Sequence, residues 1–114
     1  MINNNYANLV QKLLDATIEG RMAWQKSSTP DEYFVSISDY RFSVKKQSQN
    51  RFSLSSNSQS TYVICLANMN GEIIDIQRIK NDEEDYQFVG NLFDSARRSY
   101  YKVDNVVKML AESI

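Results

Sequence analysis

The stretch TYVICLANMNGEIIDIQ, residues 61–77, decides the fold. Tyr62, Ile64 and Leu66 recur at period two, the spacing of a strand that turns one face to a core. Asn68-Met-Asn-Gly71 follows, and Asn and Gly tolerate the positive φ that a hairpin turn requires. Ile74 and Ile76 then carry a returning strand. The stretch is an antiparallel hairpin, and the segments before it extend the pattern.

Toward the N-terminus, Tyr33, Val35 and Ile37 alternate as one strand. Tyr40, Phe42 and Val44 alternate in the opposite phase, which places a chain reversal at Ser38-Asp39. The result is a meander of four strands, or five if Trp24 lies on one. Between the two hairpins lies Gln47–Ser60, where all but Arg51, Phe52 and Leu54 are Ser, Asn or Gln. Those three could form a short edge strand. A stretch of this composition buries too little apolar area to offset its ordering entropy, so a mobile polar loop is expected over 47–60.

Helices flank the meander. Tyr6, Leu9, Val10, Leu13 and Thr17 recur at helical spacing, widened by Leu14 and Ile18, over about residues 4–19. The asparagines before Tyr6 offer N-caps, and Gly20 suits the residue just past the helix end. After the acidic run Asp82–Asp85, suited to a helix N-terminus, an apolar stripe runs from Tyr86 through Val103, Val106 and Leu110 to Ile114. No Gly or Pro follows Gly90, so one long helix is expected, with a bend near Ser99–Asp104 as the alternative. Unbroken, residues 82–114 would span about 50 Å, against about 34 Å for the diameter of a compact domain of this size. The overhang would then bury Val106, Leu110 and Ile114 against a partner, most simply an identical chain. The fold class is thus α+β: an N-terminal helix, the meander and a long C-terminal helix, with both helices on one sheet face.

At 114 residues the chain makes one domain. Its 13 Lys+Arg against 14 Asp+Glu leave a net charge of −1, without the basic excess of a dedicated nucleic-acid binder. There is no histidine, which removes His-based triads, His-ligated metals and imidazole acid–base chemistry. The single cysteine, Cys65, sits in an apolar run and suits a reducing compartment. No secretory leader and no membrane-length apolar run is visible. A cytoplasmic, non-membrane protein with no cofactor and no metal is expected.

Few residues carry a chemical signal. Arg97, Arg98, Lys102 and Lys108 form the densest basic cluster, which could contact phosphates. Asp94 precedes Arg98 by four residues and Asp104 precedes Lys108 by four, the acid-first spacing that pairs charges along a helix. Tyr101 lies off the apolar stripe near Arg97, which marks it as an interface candidate. The acids Asp82–Asp85 lack the alternating spacing of a Ca²⁺ loop. Asp39 and Asp75 could act as an acid–base pair only if the fold united them, and Asp39 already suits a turn. No catalytic constellation appears, so no catalytic residue is assigned.

The pattern Thr17-x-x-Gly20-x-x-x-Trp24, with Asn70-Gly71, Leu92-Phe93-x-x-Ala96-Arg97-Arg98 and Val103-x-x-Val106-Val107, resembles a group of small uncharacterised bacterial proteins. Those are α-β-meander-α chains, some from prophage or mobile regions. The resemblance implies the fold and a bacterial or phage origin, and no activity. By elimination and size, the functional expectation is a small non-enzymatic protein-binding or regulatory protein of the immunity, antitoxin or defence-modulating kind. Its interface would use Arg97, Arg98, Tyr101, Lys102, Val106, Leu110 and Ile114, and it would form a homodimer. A nucleic-acid accessory module using the basic cluster is one alternative, and a secretion-chaperone-like binding protein is another.

Overall fold

A computed structural model of the chain describes residues 2–48 and 60–114. Helix α1 (Asn4–Ile18) precedes five strands, β1 (Gln25–Lys26), β2 (Glu32–Ile37), β3 (Tyr40–Ser48), β4 (Ser60–Asn68) and β5 (Ile73–Lys80). Helices α2 (Tyr86–Tyr101) and α3 (Val103–Glu112) follow. The strands form one antiparallel sheet in the order of the chain, β1-β2-β3-β4-β5. Gln47 and Ser48 extend β3 and Ser60 begins β4; the rest of the expected polar loop lies outside the described residues.

Each end of α1 is fixed by its sequence. The Asn3 side chain accepts the Tyr6 N–H at 2.9 Å. At the other end Gly20 takes φ of 77°, and the N–H groups of Gly20 and Arg21 bond back to the Thr17 and Ala16 carbonyls. That paired closure is the Schellman motif, for which a glycine past the cap is best suited. The turn lets Trp24 swing back under the helix, where its indole Nε1–H donates to Thr17 Oγ1 at 2.8 Å. The Thr17-x-x-Gly20-x-x-x-Trp24 spacing is therefore a closed structural unit, in which threonine and tryptophan satisfy each other inside the core.

The helices cover one side of the sheet. Tyr33 and Val35 of β2, Phe42 and Val44 of β3, Tyr62 and Ile64 of β4 and Ile79 of β5 share one face and are buried. Helix α2 lays Val89, Leu92, Phe93 and Ala96 across that face, and α1 packs Val10 and Leu13 beside it. At Gly90 a Cβ would stand 3.1 Å from the Tyr62 ring, so the close approach of helix to sheet uses the missing side chain. In the β4–β5 turn, Asn68 Oδ1 accepts the N–H groups of Asn70 and Glu72, both at 3.0 Å, and Gly71 takes φ of 84°. Just beyond it the register jumps from Leu66↔Asp75 to Ala67↔Ile73, which leaves Ile74 as the extra residue of a bulge. Ile74 and Ile76 do lie on the returning strand, but both stay exposed, and the fully buried apolar residue of β5 is Ile79.

Two features of the C-terminal third differ from expectation. The acidic run precedes the helix: the first turn of α2 holds no acid, and Asp85 at its N-cap accepts the backbone N–H of Ile2 at 2.9 Å instead of capping. The continuous helix gives way to the bend. At Lys102 the backbone is left-handed, φ 52° and ψ 48°, and its N–H closes on the Arg98 and Ser99 carbonyls. The sixteen residues of α2 already cover about 24 Å, and its end is pinned down by Tyr100 and Tyr101 packing on Tyr33. A straight continuation would carry Val106 and Leu110 out past the edge of the sheet.

Candidate interaction surface at the α2–α3 junction

The break does not fold α3 back onto the core. None of its residues is buried, and it meets the body chiefly where it joins α2. Val103, Val106, Val107 and Leu110 nonetheless fall on one side of the helix, and Ile114 follows two residues past its end. Leu110 is 55 % exposed, Val107 58 % and Ile114 wholly so. Asp104, Lys108 and Glu112, spaced four apart, take the opposite side, so no charge interrupts the stripe. Next to the junction Ile18, at the end of α1, is 70 % exposed. Ile18, Gly20, Ser95, Arg98, Lys102 and Val103 line an open cavity of about 470 Å³ there.

The basic cluster does not act as one strip. Arg98 turns toward α1 and lines that cavity, and its Nη2 pairs with Asp104 Oδ1 at 2.7 Å. This bridge spans the helix break, where the expected partner was Asp94. Both groups are well exposed, so the bridge contributes well under about 1 kcal/mol. Arg97 stands on the other side of α2, half-buried by Tyr33 and Tyr101, with no carboxylate in ion-pair range among the described residues. Lys102 is exposed at the break itself.

Tyr101 is the residue the structure places most informatively. Its ring packs edge-on against Tyr100 at 4.9 Å and against Tyr33 at 6.3 Å. Its hydroxyl oxygen accepts from Lys26 Nζ at 3.2 Å. That ammonium, together with the hydrogen bond shared with Tyr33, holds the Tyr101 phenol below its usual value. Burial first, and the bond to Tyr101 second, push Tyr33 up to about 12. Lys26 and Tyr33 sit opposite one another in the β1–β2 register, so the edge of the sheet supplies both partners. Spacing along α2 could not show this, because Lys26 lies 75 residues away.

Other sequence candidates separate. Asp75 accepts the Tyr6 hydroxyl at 2.5 Å and the Gln77 side chain at 3.0 Å, so its carboxylate serves to tie α1 to β5. Among the described residues no group of His, Cys, Asp and Glu gathers to hold a metal. No helix among them is long and apolar enough to cross a membrane. No protein-family model, curated protein or solved structure matches the chain.

Proposed function

We propose that this is a non-enzymatic protein-binding protein that works as a homodimer, with α3 as its interface helix. The observation that carries the reading is the contrast between the amphipathic pattern of α3 and its lack of buried residues. A ten-residue helix is marginal in water by itself, and most helix stability in proteins comes from packing an apolar face. The α3 stripe has that face and no cover among the described residues. A second copy supplies a matching stripe through a two-fold axis, so that Val106, Leu110 and Ile114 bury their own equivalents. Tyr100 and Tyr101, each less than half exposed at the α2 end, give the surface an aromatic border of the kind common at interfaces.

The nucleic-acid reading draws less support. Arg97 and Arg98 leave α2 on different sides, and Arg98 is neutralised by Asp104. A phosphate backbone would meet no continuous strip of free cations along this helix.

Backbone hydrogen exchange followed against protein concentration tests the proposal. The amides of Val106–Leu110 are expected to become more protected as concentration rises through the dimer dissociation constant, while those of β3 and β4 stay unchanged. Protection of α3 independent of concentration would remove self-association as its cover.

A further inference from the structure

On the side of the sheet away from the helices lies a cavity of about 550 Å³ that shares no lining residue with the one beside α3. Its floor is the row Phe34, Ser43 and Cys65, adjacent in register across β2, β3 and β4, with Arg41 beside them. The segment Ser27–Thr29 forms one wall and the β4–β5 turn the other. The first wall is held locally: Ser27 Oγ donates to Glu32 Oε1 at 2.5 Å and accepts the Thr29 N–H at 2.9 Å. The volume is in the range of small-molecule sites, and the lining is mixed, with Phe34, Cys65, Ala67 and Ile73 set among hydroxyl and charged side chains.

Two of those polar groups are under-used. The Arg41 guanidinium carbon lies 4.2 Å from the centre of the Phe34 ring. No carboxylate stands within ion-pair range of it among the described residues. Stacking on the ring fixes the guanidinium and leaves its N–H edge free for a planar two-oxygen acceptor. Ser43 is only 8 % exposed, yet its hydroxyl reaches no closer than 3.5 Å to its acceptor, the Cys65 carbonyl. That is longer than a good O–H···O bond, and with the Cys65 thiol as its other neighbour the hydroxyl can turn its proton to a stronger acceptor. Of the other charges nearby, Glu32 accepts from Ser27 and Lys26 reaches to Tyr101, while Lys45, opposite Glu32 in register, makes no ion pair among the described residues and adds positive charge near Cys65.

We propose that this cavity binds a small molecule with a carboxylate and a compact apolar body. The carboxylate sits bidentate on Arg41 within reach of the Ser43 hydroxyl, and the apolar body lies along Phe34, Cys65 and Ala67. The planar fork of the Arg41 guanidinium matches the two coplanar oxygens of a carboxylate. Cys65, the sole cysteine of the chain, lines the cavity and serves as a built-in reporter.

The test titrates isotopically labelled protein with phenylacetate and, separately, with phenylacetamide, which keeps the body and lacks the charge. Phenylacetate is expected to give saturable shifts at the Phe34, Ser43 and Cys65 amides and to slow thiol labelling of Cys65. Phenylacetamide and the Arg41→Gln variant should each weaken binding by about tenfold or more, and Arg41→Lys by a smaller factor, because it keeps the charge and loses the fork. The amide spectrum outside the cavity checks that each variant is folded. Equal affinity for acid and amide would overturn the proposal. So would full affinity in a folded Arg41→Gln or Arg41→Lys protein, or no saturable shift up to about 10 mM, where binding would be negligible.

Discussion

Replacing Thr17 by Val should cost the fold far more than the loss of one hydroxyl suggests. Thr17 and Trp24 are 6 % and 5 % exposed, and their side chains share a 2.8 Å hydrogen bond. Valine keeps the shape and nearly the same helix propensity, but it leaves the indole N–H buried with no acceptor. An orphaned buried donor costs about 1–3 kcal/mol. The lost bond from Thr17 Oγ1 to the Leu13 carbonyl, 2.6 Å, contributes little, since such back-bonds in helices are near neutral. At about 2.1 cal/mol/K per residue of unfolding entropy, each kcal/mol lowers Tm by about 4 °C, so a fall of about 4–12 °C is expected. The informative assay is a double-mutant cycle with Trp24→Phe, measured by denaturant unfolding and far-ultraviolet circular dichroism. Once the indole is gone, Thr17→Val should cost within about 0.5 kcal/mol of nothing, giving a coupling energy of about 1 kcal/mol or more. Equal costs in both backgrounds would refute the reasoning, because the damage would then owe nothing to the indole.

Lys102→Gly reads the helix break directly. At a left-handed position glycine relieves the Cβ clash, so stability should hold or rise by up to about 1 kcal/mol, whereas in a continuous helix it would fall by about 1 kcal/mol; urea denaturation gives the sign. Alkaline pH should unfold the protein with a defined sign: burial pushes Tyr6, Tyr33 and Tyr62 each up to about 12 from an ordinary 10. From pH 10 to about 12 the unfolded chain releases protons that the native state retains, so stability falls across that window and is unaffected by these groups below it. Tyr101, held low by Lys26, should ionise ahead of them. Ultraviolet titration in which all seven tyrosines ionise together near 10 with the fold intact would contradict this.

Period-two and helical spacings located α1, the hairpin strands and the start of α2, because local alternation and the chemistry of Asn and Gly are enough to specify such elements. The Schellman end at Gly20 was legible for the same reason. What needed the structure is set by residues far apart in the chain. The β-bulge shifts register by pairing across β4, so nothing local says that Ile79, and not Ile76, enters the core. The break at Lys102 involves neither Gly nor Pro, and it follows directly on Tyr100 and Tyr101, which pack on Tyr33 far back in the chain. That Arg97 and Arg98 leave the helix about 100° apart follows from their being neighbours, but the partner of Arg98 is Asp104 across the break, which spacing within one helix does not show. The cavity over Phe34, Arg41 and Ser43 was invisible for a similar reason. Those residues occupy the polar-facing positions of their strands, and only the register aligns them.

The α3 stripe is where sequence and structure agree on the apolar pattern and leave its cover to be found. Sedimentation equilibrium of the intact chain and of Leu110→Asp at micromolar concentration is the most direct measurement. The wild-type protein should sediment at about twice the 13.2 kDa chain mass, and Leu110→Asp, equally helical by circular dichroism, at the monomer mass. A wild-type chain that stays monomeric there, or a folded Leu110→Asp variant that still dimerises, would contradict an interface built on α3.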